Sequence, residues 1–301
     1  MPLWKPDVLD NLQFWVRGDS LQNQTSGSDI TFWADESGNG FHVEKDGSVN
    51  APDVVLEAQN DLPAADFLGS NTEVLWGPAN VAEFGTDPFF ITGVFKTVTS
   101  GAEAETVFAD NLSGSEFEFR YTASSNRPIK YFGSDSTAHS VAVNAGVNVT
   151  MAGYDRTQTV SAGGVAKWYV QGELESTEAE GGTYADTSST TGLLVIGGSN
   201  TKASINNPFN GQIYEIIMYS DHPTDAERLA IEGYLAHKWG IDSSLRASDG
   251  GDDHTYEDLP PVDGITFLGE TIANETMDRS LIGDMSSPLN MVDGEHGGWI
   301  M

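Results

Sequence analysis

Residues 116–121 read EFEFRY, a stretch in which charged and aromatic side chains alternate without exception. Successive side chains of a β-strand point to opposite faces, so the aromatics share one face and the charges share the other. This pattern predicts a half-buried strand of an antiparallel sheet, with the aromatic face in a core and the charged face in solvent.

Similar runs rich in Val, Ile, Phe, Tyr, Trp and Thr recur on both sides of this stretch, separated by Gly, Asn, Ser and Asp. About ten such strands without intervening helices favour an antiparallel jelly-roll β-sandwich over a parallel α/β sheet, and we expect it to span residues 4–220. The other predicted strands are 12–16, 30–33, 54–56, 88–98, 129–132, 147–154, 166–170, 193–196 and 212–219.

One helix is predicted after the last strand, over residues 224–239. Thr224 and Glu227 have the spacing of a capping box, and Gly240 supplies a stop signal. At helical spacing, four residues fall on one stripe that we expect to pack on the sandwich. They are Leu229, Ala230, Tyr234 and Leu235.

The composition changes after this helix. Residues 242–301 hold thirteen Asp and Glu but only two basic residues, Arg246 and Arg279. A segment this acidic and rich in glycine buries too little apolar surface to fold alone, so we expect 241–301 to be an extended assembly arm laid on other chains. The apolar residues expected at those interfaces are Ile265, Phe267, Leu268, Leu281, Ile282, Trp299 and Ile300.

Charge and composition exclude several classes of protein. The 301 residues include no cysteine, which excludes disulfides and thiolate metal sites. The formal net charge of −31 disfavours nucleic-acid binding, because the chain would repel a phosphate backbone. No apolar run is long enough to cross a membrane, and the first residues do not resemble a secretory signal. We therefore expect synthesis in a host cytoplasm, no membrane insertion and no cofactor; calcium is left open, although no twelve-residue calcium loop occurs.

Four stretches carry a resemblance to a known family. They are residues 33–40 (WADESGNG), 61–67 (DLPAADF), 209–216 (FNGQIYEI) and 226–240 (AERLAIEGYLAHKWG). Together they resemble laminin-G-like domains of the concanavalin A-like lectin and glucanase superfamily, of the kind found in bacteriophage structural proteins. The resemblance brackets residues 4–240 and implies one concanavalin A-like domain over 1–240. It does not imply one function, because that fold serves lectins, enzymes and structural modules.

Catalytic signals are weak. Sandwich glucanases of the superfamily that the chain resembles carry E-x-D-x-E on one strand. This sequence has only the pairs Glu116/Glu118 and Glu173/Glu175. The two carboxylates of each pair would lie about 7 Å apart by the strand rise. We expect both pairs to lie on ordinary solvated faces. The six histidines are scattered without metal-ligand spacing, so the sequence predicts no enzyme.

Aromatic residues near expected loops or rims are candidates for stacking on sugar rings. The candidates are Trp76, Trp168 and Tyr184, with Tyr169 beside the second of them. The competing interpretation is that these large side chains fill the ends of the core.

These observations favour a non-enzymatic structural or display protein of a virus particle, such as a capsid decoration, spike or fibre subunit. Its expected partners are other virion proteins, further copies of itself and host-surface glycans, and its expected location is the particle surface. A free carbohydrate-binding or adhesion module is the alternative, and a polysaccharide-cleaving enzyme is less favoured. The acidic surface would make closely spaced copies repel one another, and the arm would contact the neighbouring chains of an assembly.

Overall fold

A computed structural model describes residues 5–47, 50–97, 105–111, 117–121, 128–132, 135–138, 149–159, 164–179, 192–201 and 204–241. Contacts divide the chain into the units Met1–Leu259 and Pro260–Met301, and the second unit lies outside the described residues. The architecture below is therefore that of the first unit.

The first of two large sheets, sheet A, has eight antiparallel strands in the order β14-β13-β12-β7-β18-β5-β4, with β1 also paired to β18. Their bounds are β1 Leu12–Arg17, β4 Asp53–Gln59, β5 Leu62–Phe67, β7 Phe89–Thr97, β12 Thr150–Arg156, β13 Val165–Val170, β14 Glu173–Ala179 and β18 Gly211–Tyr219.

Sheet B also has eight strands, in the order β11-β10-β9-β8-β15-β6-β3-β2, so β2 lies at an edge. Their bounds are β2 Phe32–Trp33, β3 Val43–Glu44, β6 Leu75–Ala79, β8 Glu105–Asn111, β9 Phe117–Tyr121, β10 Pro128–Phe132, β11 Asp135–Ala138 and β15 Leu193–Ile196. The remaining elements are the hairpin β16 Ser199–Thr201 and β17 Ser204–Asn206, the helix α1 Asp225–Lys238, and the short 3-10 helices Pro6–Val8, Gly18–Leu21 and Gly69–Asn71.

The main core lies between the two sheets. Each sheet contributes alternate residues of its strands, such as Phe14 and Val16 from β1 and Leu194 and Ile196 from β15, all of them buried. This alternation is what confines the apolar side chains to one face of each sheet. The predicted antiparallel β-sandwich is confirmed.

The stretch 116–121 departs from its prediction in one respect. Phe119 and Tyr121 are buried in the core, as the alternation requires. Glu118, however, is only 2% exposed on the opposite face, so the expected solvated position is wrong for this residue. Its Oε2 accepts hydrogen bonds from the Thr106 hydroxyl and from Arg120 Nη1, each at 3.2 Å. These bonds offset the cost of removing the carboxylate from water.

The predicted helix is confirmed as α1, and its capping box is present. The Glu227 amide donates to the Thr224 hydroxyl at 3.3 Å, and the Thr224 amide donates to the Glu227 carboxylate at 2.7 Å. At the other end Gly240 has φ +62°, a left-handed conformation that suits glycine. Leu235 is fully buried and Tyr234 nearly so, while Leu229 is only half-buried.

Helix α1 is fastened to the outer face of sheet A by one buried carboxylate, that of Glu215 on β18. Its two oxygens accept from Trp15 Nε1 at 2.6 Å, Tyr234 OH at 3.0 Å and Trp239 Nε1 at 2.8 Å. The ammonium of Lys238 lies 2.8 Å from Glu215 Oε2 and balances its charge. These four donors come from β1 and from the end of the helix, so a single side chain joins three segments of the chain.

The turn in residues 33–40 is organised by a second buried carboxylate, that of Asp35. Its oxygens accept from the amides of Trp15, Ser37 and Phe41 at 2.9–3.0 Å and from the Ser37 hydroxyl at 2.8 Å. Four donors occupy both oxygens, so this side chain serves the turn rather than a cation. These bonds hold the backbone of the turn in place.

Candidate functional site

The two candidate sugar-stacking tryptophans do not lie on the surface. Trp168 is 0% exposed and packs in the core against Tyr154 and Phe119, with ring centroids 5.1 and 5.3 Å away. Trp76 is 5% exposed. The expectation of a rim position is wrong for both, because each lies within a strand rather than in a loop.

The neighbouring candidate Tyr169 is also buried, beneath the guanidinium of Arg228 at 4.1 Å from its ring centroid. Tyr184 and the seven interface residues of the predicted arm lie outside the described residues, so their assignments stay predictions.

The glutamates of the predicted pairs that the structure describes do not form a catalytic pair on a common open surface. Glu173 and Glu175 are half-exposed on the edge strand β14, as expected of a solvated face. Glu105 on β8 is buried, and this burial raises its pKa to about 7, although the Thr97 hydroxyl donates to it at 2.7 Å. Glu116 lies outside the described residues.

A continuous row of side chains crosses the outer face of sheet B. Register pairs connect neighbouring strands directly, so their side chains share one face. The pairs are Phe32 with Glu44, Glu44 with Trp76, Trp76 with Val195, Val195 with Ala109 and Ala109 with Glu118. Six strands at their usual spacing make this row about 24 Å long.

The middle of the row is covered. Trp76, Val195 and Ala109 form a small buried cluster with Val74, against which Ile205 of the β16–β17 hairpin packs. Since Glu118 is also buried, the open part of the row in the described residues is its end on β2 and β3.

We call this open end the edge patch and define it as Phe32, His42 and Glu44. Phe32 is 43% exposed, and its ring centroid lies 5.0 Å from that of His42 at an interplanar angle of 47°. His42 and Glu44 are also exposed. The patch therefore combines an aromatic surface, an imidazole and a carboxylate on one accessible face.

The turn residue Asp35 fixes the hydrogen-bonding character of the patch. The backbone amide of Asp35 donates to His42 Nδ1 at 3.0 Å. Because Nδ1 is an acceptor, the proton of the neutral imidazole is carried by Nε2, which becomes a donor. The geometry of this turn thus presents a donor, His42 Nε2, beside an acceptor, the Glu44 carboxylate.

Sequence reasoning missed the edge patch, although one signal was present. Phe32 and Trp33 are adjacent aromatics in a predicted strand, and neighbours in a strand point to opposite faces. Only one of the two can enter the core. The structure buries Trp33 completely and leaves Phe32 outside.

A second group of titratable side chains lies where the first half of α1 meets sheet A. Asp155 Oδ1 is 2.9 Å from His222 Nδ1, and Arg228 Nη1 is 2.5 Å from Glu232 Oε2. The hydrogen bond to Asp155 raises the pKa of His222, and burial raises the pKa of Asp155. Asp155, Arg228 and Glu232 are buried, and each forms an ion pair within the group. The group therefore helps to hold the helix on the sheet.

The described part of the chain lacks two further kinds of feature, a metal site and a membrane-spanning helix. No group of three or more His, Asp or Glu side chains there has the arrangement needed to hold a metal ion. None of the helices described has both the length and the apolar character required to cross a bilayer.

Comparison with known proteins supports the fold. A family model described as "Concanavalin A-like lectin/glucanases superfamily" matches residues 68–227. No curated protein matches the chain significantly.

Solved structures with a similar fold include a sialidase from Trypanosoma rangeli in complex with 2,3-difluoro-KDN. It has 9% identity and a TM-score of 0.52, and the match covers 76% of this chain and 33% of the sialidase. The binding domain of botulinum neurotoxin serotype D/C has 10% identity and a TM-score of 0.50, with 76% and 53% covered. The chain therefore spans a third of the sialidase and about half of the toxin domain.

Proposed function

The chain belongs to the concanavalin A-like lectin/glucanase superfamily, and on this premise we propose that it is a non-catalytic display protein that binds glycans through the edge patch. The observation that carries the proposal is the exposed ring of Phe32, which lies against His42 and beside Glu44. An exposed aromatic ring with a hydrogen-bond donor and a carboxylate beside it can make both apolar and polar contacts to a ligand.

The three side chains of the patch supply complementary parts of a sugar-binding site. The face of Phe32 can pack against the C–H groups of a pyranose ring. His42 Nε2–H can donate to one hydroxyl, and the Glu44 carboxylate can accept from two adjacent hydroxyls, a charge-assisted contact that is stronger than a neutral one. A shallow patch of this kind fits a terminal sugar better than a long chain enclosed in a cleft.

Two buried carboxylates support a non-catalytic function. Glycoside hydrolysis needs two carboxyl groups that both reach the scissile bond. Glu105 and Glu118 are each 2% exposed, and they are bonded to Thr97 and to Thr106 with Arg120, respectively. A substrate on the outer face of sheet B would not reach either of them.

The binding proposal is tested by Phe32→Ala, for which we expect about a tenfold loss of affinity for any glycan the wild-type protein binds. Truncating an interface aromatic commonly costs more than 1 kcal/mol, and about 1.4 kcal/mol corresponds to tenfold. A glycan array followed by isothermal titration calorimetry measures the effect.

Leu174→Ala is the matched control for this test. Leu174 is 44% exposed, nearly the same as Phe32, but lies on β14 of sheet A. We expect unchanged binding in the control. Equal affinities of the wild-type and Phe32→Ala proteins would exclude the edge patch as the binding surface.

The proposal includes a location, namely the surface of a virus particle, as a capsid decoration, spike or fibre subunit held by residues 241–301. The composition of this segment supports the assignment, because thirteen acidic and two basic residues accompany only scattered apolar groups. Such a segment needs a partner to bury its apolar groups. The net charge of −31 would also keep closely packed copies apart.

Deleting residues 241–301 tests this location. We expect the truncated chain to remain folded and to bind the same glycans, because α1, the last element described, ends at Lys238 and so precedes the deleted segment. It should no longer be found in purified particles, as measured by quantitative mass spectrometry against the full-length chain. Normal incorporation of the truncated chain would contradict the assignment.

A further inference from the structure

The charges around the edge patch bear on the kind of sugar it can accept. Glu44 is exposed, and its carboxylate forms no ion pair with any of the described residues. The cation next to it in sequence, Lys45, is engaged elsewhere, with Nζ 2.6 Å from Asp29 Oδ2. The patch therefore presents a negative charge that no neighbouring described cation offsets.

Among the described residues, the rest of the row adds no free positive charge. Arg120 of this face lies 3.2 Å from Glu118 Oε2 and is paired with that carboxylate. The net charge of −31 adds a long-range field of the same sign. An anion that approached the outer face of sheet B would meet repulsion both locally and from a distance.

We propose that the ligand of the edge patch is an uncharged sugar residue, and that a carboxylate on the terminal sugar weakens binding; this inference rests on the proposed function. Binding of a sugar carboxylate needs a cation or several convergent N–H donors. The patch offers one donor, His42 Nε2–H, next to the like charge of Glu44. Neutral hydroxyls, in contrast, can donate to Glu44 and accept from His42.

The experiment uses the full-length protein and an array on which each neutral oligosaccharide is printed beside its sialylated form. We expect the neutral member of each bound pair to bind about tenfold more tightly, because like charges across a contact weaken association. The difference should shrink when the salt concentration is raised from 0.05 to 0.5 M, since screening shortens the range of the repulsion.

Glu44→Gln identifies the residue responsible. We expect this variant to reduce the preference for the neutral member several-fold, because it removes the negative charge. The glutamine amide keeps an acceptor oxygen, so hydrogen bonding to the sugar hydroxyls is retained in part. Glu178→Gln is the control, because Glu178 is exposed on β14 of sheet A and its replacement changes the net charge by the same amount. The control should leave the preference unchanged.

The outcomes separate this inference from the function on which it rests. Tighter binding of the sialylated members would overturn the inference and leave glycan binding standing. Binding of no array member would contradict the proposed function and the inference together. An equal effect of Glu44→Gln and Glu178→Gln would attribute the preference to net charge and refute the assignment to the edge patch.

Discussion

The Glu215→Ala variant is expected to lose about 3–5 kcal/mol of unfolding free energy, the cost typical of breaking a buried ion pair from one side. The substitution removes the carboxylate 2.8 Å from the Lys238 ammonium, which keeps only its second ion pair, with Asp19 Oδ1 at 2.8 Å. It also removes the acceptor for the indole N–H groups of Trp15 and Trp239. Each donor that stays buried without a partner adds a desolvation penalty.

Urea unfolding followed by tryptophan fluorescence measures this loss. Glu178→Ala is the matched control, because it removes an exposed glutamate of the same sheet and should change stability by less than about 0.5 kcal/mol. Glu215→Gln keeps a carbonyl oxygen and should fall between the two. Equal stability of Glu215→Ala and Glu178→Ala would show that Glu215 does not hold the helix in place.

The Trp168→Ala variant is expected to lose about 3–5 kcal/mol as well, here by leaving a cavity. Trp168 is 0% exposed, and its ring contacts Tyr154 on the neighbouring strand of sheet A and Phe119 across the core, on sheet B. Its removal therefore affects both sheets. Trp168→Phe keeps an aromatic ring of smaller volume, so we expect a clearly smaller loss of stability.

The same variant distinguishes a core residue from a sugar-binding one. At a temperature where Trp168→Ala is still folded, we expect its glycan affinity to equal that of the wild-type protein, because the side chain does not reach the surface. A folded Trp168→Ala protein that had lost glycan binding would restore the interpretation of Trp168 as a stacking residue. Circular dichroism and calorimetry on one sample provide both measurements.

Much of the fold was predictable because it depends on local patterns. The run 193–196 was predicted with the bounds that β15 has, and the last strand was placed within one residue of β18. The capping box of Thr224 and Glu227 located the start of α1. Short strands such as β3 and β16 were missed because each has only two or three residues and no aromatic or branched run.

The candidate site was poorly predictable because exposure is a property of the whole fold. Trp76 and Trp168 were chosen for their residue type, and the structure buries both. Phe32 was overlooked within a predicted strand, although its neighbour Trp33 takes the inner face. Residue type shows which side chains can stack on a sugar but not which of them remain outside.

The sequence alone determined the fold class, the closing helix and the acidic character of the chain, because side-chain alternation, capping and net charge are set by neighbouring residues or by composition. Only the tertiary structure decided that Glu215 joins β1 to the end of α1, since Trp15 is 200 residues away along the chain. It also decided that Phe32, His42 and Glu44 form an open patch while Glu118, on the same row, is buried. Register between distant strands and coverage by the β16–β17 hairpin set these positions, and no local pattern encodes either of them.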